Sequence, residues 1–173
     1  MFDKLIPFAH ASSIYDIDAS FFKRHGVETL FVDLDNTLDS YKALFPSKRA
    51  IDYVNYLKRQ GIEPIVISNN SKDRVGEYAS KLKVRFLSRA FKPFSGRLLK
   101  FIADNDIDIT KTMLIGDQIM TDLLAAKRAN IRIVLTEKIV KEDQLSTHLN
   151  RLVDTPIRKH LIKNNKLTDW RKV

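Results

Sequence analysis

The chain contains no cysteine among its 173 residues. That absence removes disulfides, thiolate metal sites and every mechanism built on a cysteine nucleophile, and it fits a reducing compartment. Glycine is scarce too. Gly26, Gly61, Gly76, Gly96 and Gly116 spell neither a dinucleotide-binding fingerprint nor a phosphate-binding P-loop. His10, His25, His148 and His160 lack metal-ligand spacing and read as core or surface residues. No apolar run approaches the ~20 residues that span a bilayer. The first ten residues lack the charged-then-apolar order of a secretory signal, so a cytoplasmic protein is expected. Aromatics are sparse in the basic stretches, which disfavours a base-stacking platform for nucleic acid.

Positive charge is plentiful, with a formal net of +9. Residues 71–100 hold nine basic against two acidic side chains, and residues 138–173 hold nine against four. Such segments suit an anionic partner such as a phosphate ester, a lipid surface or a nucleic acid; a solubilising surface explains them equally well. Arg158, Lys159, Lys163 and Lys166 offer the same two readings, an anion-binding or a solvated face. No pattern specifies an oligomeric state.

A hydrophobic content of 44% supports one globular domain over residues 1–173. Residues 28–34 read as a buried strand. Ser47 is the natural N-cap of a helix with Ala50, Ile51, Val54 and Leu57 on one face, stopped by Gly61. Further strands are expected at 62–68, 84–87, 112–115 and 131–135, and helices at 71–82, 94–103 and 119–129. The helix at 94–103 puts Phe94, Leu98, Phe101 and Ile102 in spacing. Strands alternating with single helices predict an α/β fold, a doubly wound, mainly parallel sheet in three layers. Residues 1–27 fall outside the pattern, and a tail from about 142 is expected to add helices near 142–153 and 156–163. Phe2, Leu5, Ile6 and Phe8 either pack against the sheet or dip into a membrane interface.

The chemistry concentrates at strand ends. Asp33 and Asp35 are two residues apart in extended backbone, so they face the same side. At ~4 Å two such charges repel by roughly 4 kcal/mol at an effective dielectric of about 20, and the pair needs a cation or a shared proton. Thr37 follows them. Ser68, Asn69 and Asn70 close the second strand, Lys92 lies beyond the third, and Gly116, Asp117 and Asp122 follow the fourth. Singly, these are ordinary turns, caps and solvated side chains. Together, in a parallel sheet, they converge on one crevice.

The order of these residues resembles the haloacid dehalogenase (HAD) superfamily of phosphohydrolases. Asp33-Leu34-Asp35-Asn36-Thr37 is similar to its first motif, Ser68-Asn69 to the second, Lys92 to the third and Gly116–Asp122 to the fourth. The wording around Asp33 and the short chain further resemble the YqeG-like, subclass IIIA branch. That branch is similar to mitochondrial phosphatidylglycerophosphate phosphatases. The resemblance implies a single-domain, Rossmann-like HAD fold with its core at 28–136.

It also implies a nucleophile at Asp33, an acid and then base at Asp35, and Mg²⁺ held by Asp33, the carbonyl of Asp35 and Asp117. Ser68, Asn69, Lys92 and Thr37 would meet the phosphate, with Asp122 and Gly116 in support. Residues 38–67 and 69–91 leave no room for a large cap domain. An open site beside basic segments then suits phosphatidylglycerophosphate, at the inner face of a membrane. A phosphatase for nucleic-acid ends or phosphoproteins, and a non-catalytic binding module of the same fold, are the rival readings.

Overall fold

The computed structural model describes residues 5–140 and 148–173, with side chains omitted for 148–152. Six strands form one sheet: β1 (Ala9–Ala11), β2 (Thr29–Asp33), β3 (Glu63–Ile67), β4 (Phe86–Leu87), β5 (Thr112–Gly116) and β6 (Arg132–Thr136). Their order across the sheet is β1-β6-β5-β2-β3-β4, and every pairing is parallel. The expected doubly wound α/β architecture is therefore present. β2 is central and buried along its whole length, which is why Thr-Leu-Phe-Val-Asp is nearly continuous in apolar residues. Strand alternation divides the core. Leu30, Val32 and Val66 face one layer, whereas Phe31, Ile65 and Ile67 face the other.

The first layer holds α1 (Ala19–Arg24), α2 (Lys48–Arg59) and α3 (Lys72–Leu82). Ser47 Oγ caps α2 by accepting from Ala50 N at 3.2 Å, and Ser71 Oγ caps α3 from Arg74 N. Gly61, with φ of 80°, lets the chain leave α2 in a left-handed turn. The buried face of α2 is Ala50, Tyr53, Val54 and Leu57, with Ile51 at its margin.

The second layer holds α4 (Gly96–Asp104), α5 (Leu124–Arg128) and α6 (His148–Lys163). Leu98 and Ile102 of α4 are buried, and Phe101 meets Phe31 edge-on at 6.0 Å between centroids. Phe94 is different from expectation: it precedes α4 and is exposed. A turn closed by Phe94 N donating to Phe91 O at 2.9 Å keeps residue 94 out of the helix. The helix expected at 119–129 begins as a wider π turn over Ile119–Leu123 before α5.

Two regions outside the sequence pattern join the fold. β1 pairs with β6, and α1 buries Phe21 and Phe22; a three-residue Ala-His-Ala edge strand carries no periodic signal. Leu5 and Ile6 pack on the α4–α6 side and Phe8 on the other, which favours sheet packing over membrane insertion for these three. Phe2 lies outside the described residues. In the tail, where one or two helices were expected, α6 runs through Pro156 as a single helix, anchored by buried Ile157 and Leu161. The part of the expected 142–153 helix before residue 148 lies outside the described residues. Beyond α6, Trp170 meets Phe21 edge-on at 5.8 Å, and Arg24 donates to the carbonyls of Trp170 and Val173.

Candidate active site

Because all strands run the same way, their carboxyl ends share one edge. Asp33 ends β2, Ser68 follows β3, Lys92 lies in the loop after β4, and Asp117 follows β5. Lys92 Nζ donates to Asp33 Oδ1 at 2.5 Å and to Asp122 Oδ1 at 2.5 Å. The side chains of Asp33, Lys92 and Asp122 are 8%, 3% and 1% exposed. Carboxylate oxygens of Asp33, Asp117 and Asp122 all lie within 4.8 Å of one another. Four residues from distant stretches of chain thus meet at one point.

Asp35 occupies a separate, more polar environment. Its Oδ2 accepts from Ser68 Oγ at 3.1 Å and from Asn70 Nδ2 at 2.7 Å, with Arg74 Nη2 3.4 Å from Oδ1. Asn36, in the left-handed region at φ 67°, turns the loop between the two aspartates and Thr37, and its N–H donates to Asp39 O at 2.7 Å. Asp39 in turn accepts from Tyr78 Oη at 2.6 Å and Ser47 N at 2.8 Å. Thr37 is buried, and its Oγ1 has no hydrogen-bond partner among the described residues. Asn69, expected at the phosphate, uses its amide differently. It donates to Lys92 O at 2.9 Å and accepts from Lys92 N at 2.8 Å, so it braces the lysine loop.

Gly116 has a steric role. A Cβ there would sit 2.4 Å from Asp122 Cγ, so only glycine lets Asp122 fold back over the end of β5. Asp122 Oδ2 also accepts from Gln118 N at 3.1 Å, which fixes the turn carrying Asp117.

Sequence reasoning missed Arg74 and Asp154, and it named Asn70 and Arg158 without the contacts they make. Asn70 and Arg74 hold Asp35, and α6 supplies Asp154 and Arg158. Asp154 accepts from Ile119 N and Met120 N, both at 2.9 Å, and Arg158 Nη2 donates to Asp117 O at 2.6 Å. Arg158 also pairs with Glu137 at 2.8 Å. The i,i+4 spacing of Asp154 and Arg158 signals a shared helix face, but not what that face meets. In the described structure Arg158 is thus tied to the Asp117 loop, not left on a solvated face.

Burial pushes the Asp33 carboxyl well above the usual range, and Asp122, Asp117 and Asp35 add to this while Lys92 opposes it. Burial pulls Lys92 down, but Asp122 and Asp33 outweigh it and hold the ammonium above the ordinary lysine range. Lys92 pairs with two of the three clustered carboxylates, Asp33 and Asp122. The donors of the cluster are all oxygen, which suits a hard divalent cation.

Comparison with known proteins gives a match to the family model described as HAD-hydrolase-like over residues 90–156. The chain is 27% identical over 152 residues to the protein named probable phosphatase YqeG of Bacillus subtilis (strain 168), covering 88% of each. Among solved structures it is similar to an uncharacterized protein from Listeria monocytogenes serotype 4b, with a TM-score of 0.54 and 14% identity over 80% of this chain and 99% of that one. It is also similar to the cobalt-bound deoxy-D-mannose-octulosonate 8-phosphate phosphatase of Haemophilus influenzae, with a TM-score of 0.50 and 11% identity over 81% and 94% of the two chains. The structural likenesses speak to the fold. The family match covers part of the chain, and the likeness to the Bacillus relative runs along most of it.

Proposed function

We propose that the protein is a divalent-metal-dependent phosphomonoester hydrolase of the HAD type that works through an aspartyl phosphate. One observation carries this reading. Two carboxylates on one loop sit in unlike surroundings: Asp33 is buried against Lys92, and Asp35 is held by Ser68 and Asn70. Pairs separated in this way are suited to different chemical tasks.

In this reading an Asp33 oxygen bonds to phosphorus as the bond to the leaving oxygen breaks. Asp35 delivers a proton to that leaving alkoxide. It then takes a proton from the water that attacks the aspartyl phosphate, releasing inorganic phosphate and restoring Asp33. Ser68, Asn70 and Arg74 orient Asp35 for both transfers. Lys92 offsets charge on Asp33 and the phosphoryl oxygens, with Thr37 as a hydroxyl donor. Asp33, Asp117 and the Asp35 carbonyl would hold Mg²⁺, with Asp122 in support. When bound, that ion supplies positive charge that shields the carboxylates from the phosphate.

The substrate we favour is phosphatidylglycerophosphate, giving phosphatidylglycerol and phosphate at the inner face of a membrane. Residues 38–67 hold a loop and α2, and residues 69–91 hold α3 and β4, so no inserted domain covers the site. The basic stretch 71–100 borders it.

Purified protein in Mg²⁺ should release phosphate from an aryl phosphate, and Asp33→Asn should abolish that release. Undiminished activity in the variant would overturn the nucleophile assignment. A clear preference for soluble phosphosugars or nucleotides over the lipid would overturn the substrate. Mg²⁺ binding without turnover of any ester would favour a non-catalytic module.

A further inference from the structure

Eight large apolar side chains are exposed among the described residues, and five stand in loops that follow the carboxyl ends of strands. Leu44 and Phe45 follow β2, Phe91 and Phe94 follow β4, and Ile139 follows β6. The sheet is all parallel, so these loops share the edge that carries the proposed catalytic residues. The opposite edge has no comparable set among the described residues.

We infer that this rim is a docking face for an anionic bilayer, deepening the lipid-phosphate reading, on which it rests. Phe91 and Phe94 are 56% and 68% exposed, on either side of Lys92, and they border an open cavity of about 710 Å³ that reaches Asn69 and Lys92. The Phe91 side chain is more than half exposed. Its backbone is left-handed at φ 54°, which a bulky residue rarely adopts, and the ring points to solvent. Each ring carries a cation beside it: the Arg97 guanidinium lies 5.3 Å from the Phe91 centroid, and that of Arg128 lies 5.6 Å from Phe94.

Charge complementarity points to a membrane. Residues 40–49 and 88–100 contain basic side chains and no acidic one. Aromatic rings sunk to headgroup depth with guanidiniums beside them match an interface whose surface is negative. Leu44 and Ile139 are aliphatic and cannot stack on bases, which disfavours a single-stranded nucleic acid as the occupant. No helix among the described residues is long and apolar enough to cross a bilayer.

The test is co-sedimentation of the full chain with vesicles of equal parts phosphatidylserine and phosphatidylcholine. Phosphatidylserine is neither proposed substrate nor product, so binding is read apart from turnover. The protein should bind these vesicles, bind neutral phosphatidylcholine far more weakly, and release as salt rises. The pair Arg97→Gln and Lys100→Gln should weaken binding by about fivefold per charge removed. Phe91→Asn with Phe94→Ser should weaken it at least as much; asparagine tolerates the left-handed backbone at 91. Both pairs should keep aryl phosphatase activity and melting temperature.

Failure to bind anionic vesicles, equal binding of variants and wild type, or binding of RNA in place of vesicles overturns the docking face. So does loss of a dimer in the Phe91/Phe94 variant with no change in vesicle binding. If vesicles bind but aryl phosphate is not hydrolysed, the phosphatase reading falls and the docking face stands. If the reverse holds, the docking face falls alone.

Discussion

Asp33→Asn should make the metal-free protein more stable while removing its activity. Carboxylate oxygens of Asp117 and Asp122 lie within 4.8 Å of Asp33, so each repels it by roughly 3 kcal/mol at an effective dielectric of about 20. Lys92 at 2.5 Å returns roughly 7 kcal/mol on the same scale, so the charges nearly cancel. What remains is the cost of keeping an ionised carboxylate out of water, several kcal/mol before relaxation. Asparagine removes that cost and both repulsions, keeps an oxygen for Lys92 to donate to, and leaves Lys92 paired with Asp122. We expect a net gain of about 2 kcal/mol in chelator, or about 4–8 °C in melting temperature for a chain of this length. Wild-type protein should gain about 2.7 kcal/mol from Mg²⁺ at a hundred times its dissociation constant, and the variant much less. Thermal unfolding followed by circular dichroism, with chelator and with Mg²⁺, reads both effects. A variant no more stable than wild type in chelator, or stabilised equally by Mg²⁺, would refute the account of Asp33 as a costly buried charge.

Gly116→Ala should displace Asp122 from Lys92, because the new Cβ would lie 2.4 Å from Asp122 Cγ. Melting should report a loss of about 1–3 kcal/mol, with a matching fall in kcat. Arg158→Met should leave the Asp117 carbonyl without its donor and weaken Mg²⁺ binding by about tenfold, measured by calorimetry; unchanged affinity would leave the arginine a purely structural role. The pH dependence has a definite sign. Asp33 holds its proton more tightly folded than unfolded, so metal-free stability should fall as pH rises from about 3.9 through the raised folded value. Asp33→Asn should flatten that slope in chelator. The contribution of Lys92 should be intact below about 10.4 and be lost as pH climbs through its raised folded value.

The central strands and their helices were legible because burial on both faces and helical periodicity leave strong patterns, as in β2 and α2. β1 left none, since its order comes from pairing with β6 rather than from its own residues. Phe94 fitted a helical spacing but lies before the helix, because spacing does not reveal where the Phe91–Phe94 turn ends. The residues brought to the site by strand ends were readable, since a parallel sheet dictates where those ends go. Arg158 and Asp154 were not. They come from a helix docked across the sheet, and nothing in their neighbours in sequence says that their targets are the Asp117 carbonyl and the amides of Ile119 and Met120.

That late contribution has a consequence for biosynthesis. During translation Asp33, Asp35, Ser68, Lys92 and Asp117 all leave the ribosome before Asp154 and Arg158 do. A nascent chain therefore owns every proposed reacting group while the loop that bears Asp117 still lacks its contacts to α6. Hydrolytic competence should switch on abruptly, when the α6 segment docks, and premature termination before that segment should leave a silent fragment.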